Sequence, residues 1–209
     1  MRVLILGATG GTGREIVREA ALQGHSVTAL VRSKAKATHL AGADLVEGDA
    51  RDEQALLRAL EGCSGVISSL GTPMSPFREV TLLSAATRAL VKAMDDRKVR
   101  RLVCITGVGA GDSRGHGGFL YDRLFLPLLL RKVYQDKNRQ EDVVRGSDLD
   151  WVLVRPTILN DKPAKGSVHA QTDLSRVHGG TVARRDVAKF VVKQLTDDAW
   201  LRRAPLITW

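Results

Sequence analysis

Residues 134 to 137 read YQDK, which puts a phenol and an amine three positions apart. A Tyr and a Lys four positions apart on a helix form an acid pair that can protonate a carbonyl oxygen as hydride arrives at its carbon. Here the spacing is one short. If Lys137 takes the Lys place, Val133 stands where the Tyr would be. If Tyr134 takes the Tyr place, Asn138 stands where the Lys would be. One helical step turns a side chain by about 100°, so Tyr134 reads as a packing residue. Lys137 reads either as a site residue or as a solvated member of the charged run QDKNRQED.

A second constellation lies at the N-terminus. The apolar run RVLIL leads directly into GATGGTGREIV, where Gly7, Gly10 and Gly13 are spaced by three. In a strand-to-helix turn, the first glycine permits the bend and the second lets backbone approach a diphosphate. The third lets helix and strand pack closely. Free amides at the helix start then face the anion. Gly7, Thr9, Gly10, Gly11, Thr12 and Gly13 are therefore the candidate dinucleotide cradle.

The end of the second apolar run selects between nicotinamide cofactors. A carboxylate there would bind ribose hydroxyls, whereas a 2′-phosphate needs cations. The sequence offers LVRSKAKA, with Arg32 as a bidentate donor and Ser33 beside it, which favours NADP(H). Asp49 and Ala50 in EGDARD follow the third run, where an adenine edge would lie. Asp49 either accepts from the adenine amine or caps the next helix, a role Asp52 fills equally well.

These groups need a frame. Strand-like runs at 2–6, 26–31, 43–49, 65–70, 101–106 and 150–156 alternate with helical stretches at 11–23, 52–61, 79–96, 120–146 and 184–197. Several of the short runs are apolar on both faces, as strands between two helical layers are. Strict alternation predicts an α/β fold, a Rossmann-type doubly wound parallel sheet. The length, 209 residues, suits one domain, 1–209. Residues 157–181 weaken into polar and glycine-rich sequence with short pieces GSVHA and SRVHG, which reads as a small C-terminal substrate-pocket wall. Residues 198–209 read as the C-terminal edge, where Trp200 and Trp209 pack, while Trp151 reads as core. The glycines of GVGAGDSRGHGG (107–118) suggest a mobile loop.

Bulk properties narrow the classes. Cys63 and Cys104 form no CxxC pattern and suit a reducing, cytoplasmic setting. The stretch FLYDRLFLPLLL at 119–130 is too short and too charged to span a bilayer. It reads as a buried helix or a lid, with peripheral membrane contact as a lesser option. A net charge of +9 would suit an anionic partner, but the presence of only nine aromatic rings and the lack of a recognisable RNA or DNA motif argue against nucleic acid. The five histidines show no metal-ligand spacing, so no metal is expected. The expected partner is a small-molecule acceptor, with the chain a monomer or homodimer.

GATGGTG, VRSKAKA, EGDARD, VISSLG, KVRRLVCITGVG, DKNRQEDVVRGSDLDWVLVRPTIL and VARRDVAKFVVKQL together resemble the atypical short-chain dehydrogenases of the NAD(P)-binding NmrA-like and flavin/biliverdin reductase type. The resemblance spans nearly the whole chain. It implies that Ser68, Ser69 and Gly71, then Thr106 and Gly107, and finally Arg155, Pro156 and Thr157 line the nicotinamide and its ribose, with Lys137 reaching the same place. Two departures stand out. Thr106 is the nearest hydroxyl where many short-chain dehydrogenases carry a Ser, and Ile158 stands where the flavin/biliverdin reductases carry a His.

With Thr106 and Lys137 as catalytic candidates and no Tyr at 133, the chain suits hydride transfer to a flavin, quinone or similar conjugated acceptor, which spreads the incoming charge. The alternative is a non-catalytic NADP(H)-binding redox sensor that regulates a protein partner. An epimerase or carbonyl dehydrogenase fits less well.

Overall fold

The computed structural model describes all 209 residues. Strands β1 (Arg2–Leu6), β2 (Ser26–Val31), β3 (Ala43–Glu47), β4 (Gly65–Ser68), β5 (Arg101–Ile105) and β6 (Asp150–Pro156) alternate with helices α1 (Gly11–Leu22), α2 (Glu53–Ala59), α3 (Leu82–Asp96) and α4 (Arg131–Arg145). Then follow β7 (Ile158–Asn160), β8 (His169–Gln171), β9 (Thr181–Ala183), α5 (Arg184–Lys193) and β10 (Leu206–Thr208).

The main sheet has eight strands in the order β3-β2-β1-β4-β5-β6-β10-β8. It is parallel except where β8 runs antiparallel to β10. β7 and β9 form a separate parallel pair. The chain is thus the doubly wound α/β fold that the alternation predicts, and the order reverses between β1 and β4, the point where such sheets bind ligands.

Alternation along each strand feeds two layers. Val3 and Ile5 of β1 join one core with Ile16 and Val17 of α1 and Val187 and Val191 of α5. Leu4 and Leu6 join the other with Leu56 of α2, Leu90 and Met94 of α3, Val144 of α4 and Trp151. Each strand residue buries its side chain on alternate faces, so a one-residue slip would exchange the two cores. Trp200 and Trp209 pack on the first core, as expected of the C-terminal edge.

Several boundaries differ from the sequence reading. β3 and β4 end at Glu47 and Ser68, two residues early, because the chain turns there into the ligand-side loops. The 120–146 helix is two helices. Tyr121–Leu130 is wound as a π-helix around Pro127, and α4 begins at Arg131. Proline lacks the amide and crowds the carbonyl of the preceding turn, and a wider winding relieves both. SRVHG is not a strand; β9 starts later, at Thr181, to pair with β7.

The 107–118 segment is packed rather than open. Val108, Ala110 and Ser113 are buried, and Ser113 both donates to the Ala110 carbonyl (2.6 Å) and accepts from the Gly109 amide (3.0 Å). The 119–130 stretch is not a buried helix: within Tyr121–Leu130 only Leu126 is buried. No helix is long and apolar enough to cross a membrane.

Candidate active site

The turn after β1 is built as a cradle. Gly7 has φ +76°, and a Cβ on it would lie 2.4 Å from the Ser69 carbonyl oxygen. A Cβ on Gly13 would lie 2.1 Å from the Gly7 carbonyl oxygen. These two glycines are fixed by backbone contact. Gly10, which caps α1 with no side chain of its own, is exposed, and a Cβ there would meet protein only at 3.3 Å. Thr9 is exposed and Thr12 half-buried beside it. The amides of Gly11, Thr12 and Gly13 open the helix with no internal acceptor, the arrangement that receives a diphosphate.

At the end of β2, Arg32 is exposed and has no carboxylate within ion-pair distance, and Ser33 follows in extended backbone. The amide of Lys34 is taken by Glu47 (2.8 Å), which fixes the path of this loop. Asp49 is not the helix cap. Asp52 is, accepting from the Gln54 amide (2.9 Å). Asp49 binds Arg51 through its side chain (2.6 Å) and its amide (2.8 Å), and those hydrogen bonds hold its carboxyl down at about 2. Ala50, half-buried, packs against the second core. Both remain on the loop after β3, where the sequence reading expects the adenine edge.

At the ends of β4, β5 and β6 the candidate residues converge unevenly. Ser68 is buried with its hydroxyl unpartnered. Ser69 gives its amide to Leu6 and its carbonyl contacts the Gly7 turn. Gly71 faces open space. Thr157 is buried and its hydroxyl donates to Thr208 (3.1 Å), so it faces β10. Pro156 is buried and its carbonyl accepts from the Val108 amide. Ile158, at the place of the absent His, is exposed on β7.

Thr106 and Lys137 do meet, through backbone. The Lys137 ammonium donates to the Thr106 carbonyl, while the Thr106 hydroxyl donates to Glu141 (2.7 Å) and turns into the protein. Glu141 in turn holds Arg155, which is fully buried. Burial pulls the Lys137 amine down to about 8, against the opposing pull of Cys104 and Glu141. Burial also pushes the Cys104 thiol up to about 12.

The sequence reading missed one part of this site. Tyr134 lies on the same side of α4 as Lys137, since three residues nearly complete a turn. A Cβ added to Gly107 would sit 3.1 Å from the Lys137 Nζ and 3.3 Å from the Tyr134 hydroxyl. The two groups therefore flank Gly107 together, and Tyr134, a packing residue, also borders the candidate site. Its hydroxyl shares a hydrogen bond with Tyr121 (2.5 Å), and burial pushes its pKa well above the phenol range, so it is a weaker acid than a free phenol. The Lys137 amine stands over the Tyr134 ring at 5.0 Å from its centroid. The absent Tyr-x-x-x-Lys pattern hid this pairing; the i to i+3 spacing was the available signal. A hollow of about 360 Å³ opens nearby, lined by Gly109, Leu126, Arg131, Tyr134 and Asn138 among others.

Comparison with known proteins bears on the fold and on the cofactor class. A family model described as NAD(P)H-binding matches residues 7–198. YhfK of Bacillus subtilis, described as an uncharacterised sugar epimerase, is 28% identical over 213 residues, covering 98% of this chain and 92% of that protein. Photosystem II assembly factor Ycf39 of Guillardia theta is 27% identical over 220 residues; the match covers 99% of this chain but 65% of Ycf39. Among solved structures, the anaerobilin reductase ChuY of Escherichia coli superposes with TM-score 0.84 at 23% identity, covering 100% of this chain and 97% of that one. A short-chain dehydrogenase/reductase of Veillonella parvula in complex with NADP gives 0.79 at 17% identity, covering 100% and 94%. At these identities the structures show a shared fold, one used by NAD(P)H-binding oxidoreductases.

Proposed function

From a chain that belongs to the NAD(P)H-binding family, we propose an NADPH-dependent reductase that passes hydride to a flavin, quinone or similar conjugated acceptor. The observation that carries the reading is the joint approach of Lys137 and Tyr134 to Gly107, with the Tyr134 hydroxyl committed to Tyr121. When bound, the reduced nicotinamide supplies a hydride, and the acceptor takes one proton to finish as its dihydro form. The free amides of Gly11 to Gly13 fit the diphosphate, and the unpaired Arg32 with Ser33 fits a 2′-phosphate.

The protein's own groups then do the following. Gly107 leaves room where a side chain would block Lys137 and Tyr134. Lys137, with an amine near 8, presents an ammonium at neutral pH that offsets negative charge gathering on the acceptor. Thr106 acts by holding Lys137 through its carbonyl, its hydroxyl being spent on Glu141. Tyr134 keeps its proton, because its acidity is pushed the wrong way for a general acid. A carbonyl acceptor would need that proton during hydride addition. A conjugated acceptor delocalises the charge and takes its proton from water.

The test is NADPH consumption by the purified chain with free flavins, quinones and simple aldehydes, with NADH as control. Turnover with a conjugated acceptor and little with aldehydes supports the reductase. Tight NADPH binding with no turnover on any acceptor moves the reading to a non-catalytic sensor.

A further inference from the structure

The helical segment after the 107–118 loop shows its apolar side chains to solvent. Phe119, Leu120, Leu124, Phe125, Leu128 and Leu129 are between 38% and 77% exposed. In an α-helix their spacing of five and then four would scatter them around the axis. Across Tyr121–Leu130 an i to i+5 winding brings residues four and five apart onto one side, so Leu124, Phe125, Leu128 and Leu129 form one ridge, with Phe119 and Leu120 in the helical turn that leads into it. The opposite side is anchored, with Leu126 packed on Ala110 and Tyr134 and with Tyr121 and Leu130 beside them. A ridge of this size left uncovered marks an interaction surface.

Its border is basic. Arg114, Arg123 and Arg131 are exposed, Lys132 is half-buried, and none has a carboxylate within the 4.0 Å ion-pair limit. The helix carries one acid, Asp122, and one of its carboxylate oxygens is buried away from the surface.

We propose that this ridge docks on an anionic bilayer surface, with the helix lying in the interface plane. Charge decides among the occupants. A second copy would bring the same unpaired cations face to face, on a chain of net charge +9. An anionic headgroup layer neutralises them while the acyl boundary accepts a convex apolar ridge without any matching groove. The segment lies on the bilayer and does not cross it, since no helix is long and apolar enough to span. The proposal stands apart from the reductase reading: the ridge side chains and Arg123 lie outside the hollow beside the Lys137 site, and of the basic border only Arg114 and Arg131 also line it.

The experiment is co-sedimentation of the full chain with vesicles of phosphatidylcholine alone or mixed with phosphatidylglycerol. The chain should pellet with the mixed vesicles about 10-fold better than with phosphatidylcholine alone, and the difference should shrink as salt rises. The variant Phe125→Ser/Leu128→Ser, which alters only exposed positions, should fall to the phosphatidylcholine level while binding NADPH normally. Three results overturn the proposal: no binding to either vesicle, undiminished binding by the variant, or a dimer in analytical ultracentrifugation that the variant abolishes.

Discussion

Glu141 grips Arg155 by two points, Nε at 2.9 Å and Nη2 beside it, and both side chains are sealed from water. The pair joins α4 to β6. It also reaches the loop after β5, since Arg155 Nη2 lies 2.6 Å from Asp112 and Glu141 accepts from Thr106. Two carboxylates, buried Glu141 and exposed Asp112, thus meet on the Arg155 guanidinium and tie α4, β6 and this loop together.

Removing either partner leaves a buried charge under-compensated: Arg155 keeps only Asp112, and Glu141 keeps only the Thr106 hydroxyl and, at 3.7 Å, Arg145. Glu141→Ala or Arg155→Ala should each cost about 3–5 kcal/mol of unfolding free energy in a denaturant titration. Glu141→Leu/Arg155→Met, which removes both charges, should recover part of that loss. A single variant within about 1 kcal/mol of the parent would mean that water reaches the pair.

Lys137 makes activity and stability respond oppositely to pH. Its amine sits near 8 when folded and near 10.5 ordinarily. Below 8 it is charged in both states. Between those values the unfolded chain binds more protons, so this group's contribution to stability rises with pH. The ammonium is meanwhile lost from the site, so kcat/KM for the conjugated acceptor should fall as pH rises through about 8. Lys137→Met should flatten the fall, and Lys137→Arg should move it upward; an unchanged profile in Lys137→Met would remove Lys137 from the chemistry.

Tyr134→Phe separates a packing hydroxyl from an acid. Loss of a general acid costs about 10²–10⁴-fold in rate. With the proton held between Tyr134 and Tyr121, the variant should lose less than about 3-fold in kcat and roughly 1 kcal/mol in stability. A hundredfold loss would make Tyr134 the proton donor and point to a carbonyl substrate.

The legible parts of the chain were those written as local pattern. Long alternation gave β1 to β6 and their helices, and Gly7, Gly10 and Gly13 marked a turn whose two outer glycines prove sterically obligatory. β7, β9 and β10 are three residues each, too short to carry a period. The Tyr134 and Tyr121 contact joins two helices of different winding, so a single helical pitch could not reveal it. The exposed ridge read as a buried helix or a lid, with membrane contact the lesser option, because apolar composition alone cannot say which way a side chain faces.

Arg32→Glu tests the cofactor. If Arg32 meets a 2′-phosphate, losing a charged hydrogen-bond partner costs about 1.5–3 kcal/mol, so NADPH affinity should drop by roughly 10- to 100-fold while NADH affinity barely moves. Equal losses for both would assign Arg32 elsewhere.

Two glycines three residues apart, Gly10 and Gly13, should fail in different ways. A methyl on Gly13 would stand 2.1 Å from the Gly7 carbonyl oxygen, both rigid backbone, so the turn itself must shift. Gly13→Ala should therefore lower stability by about 1–3 kcal/mol and weaken NADPH together. A methyl on Gly10 meets that oxygen only at 3.3 Å and otherwise stands in open space beside the unfilled amides of α1. Gly10→Ala should keep the melting temperature near that of the parent and still lose most NADPH affinity, because the space it fills is where the diphosphate must approach. Calorimetry and fluorescence titration on the two variants check this. Gly10→Ala with full affinity would place the diphosphate away from this turn, and the reading of Gly11 to Gly13 as its donors would fall with it.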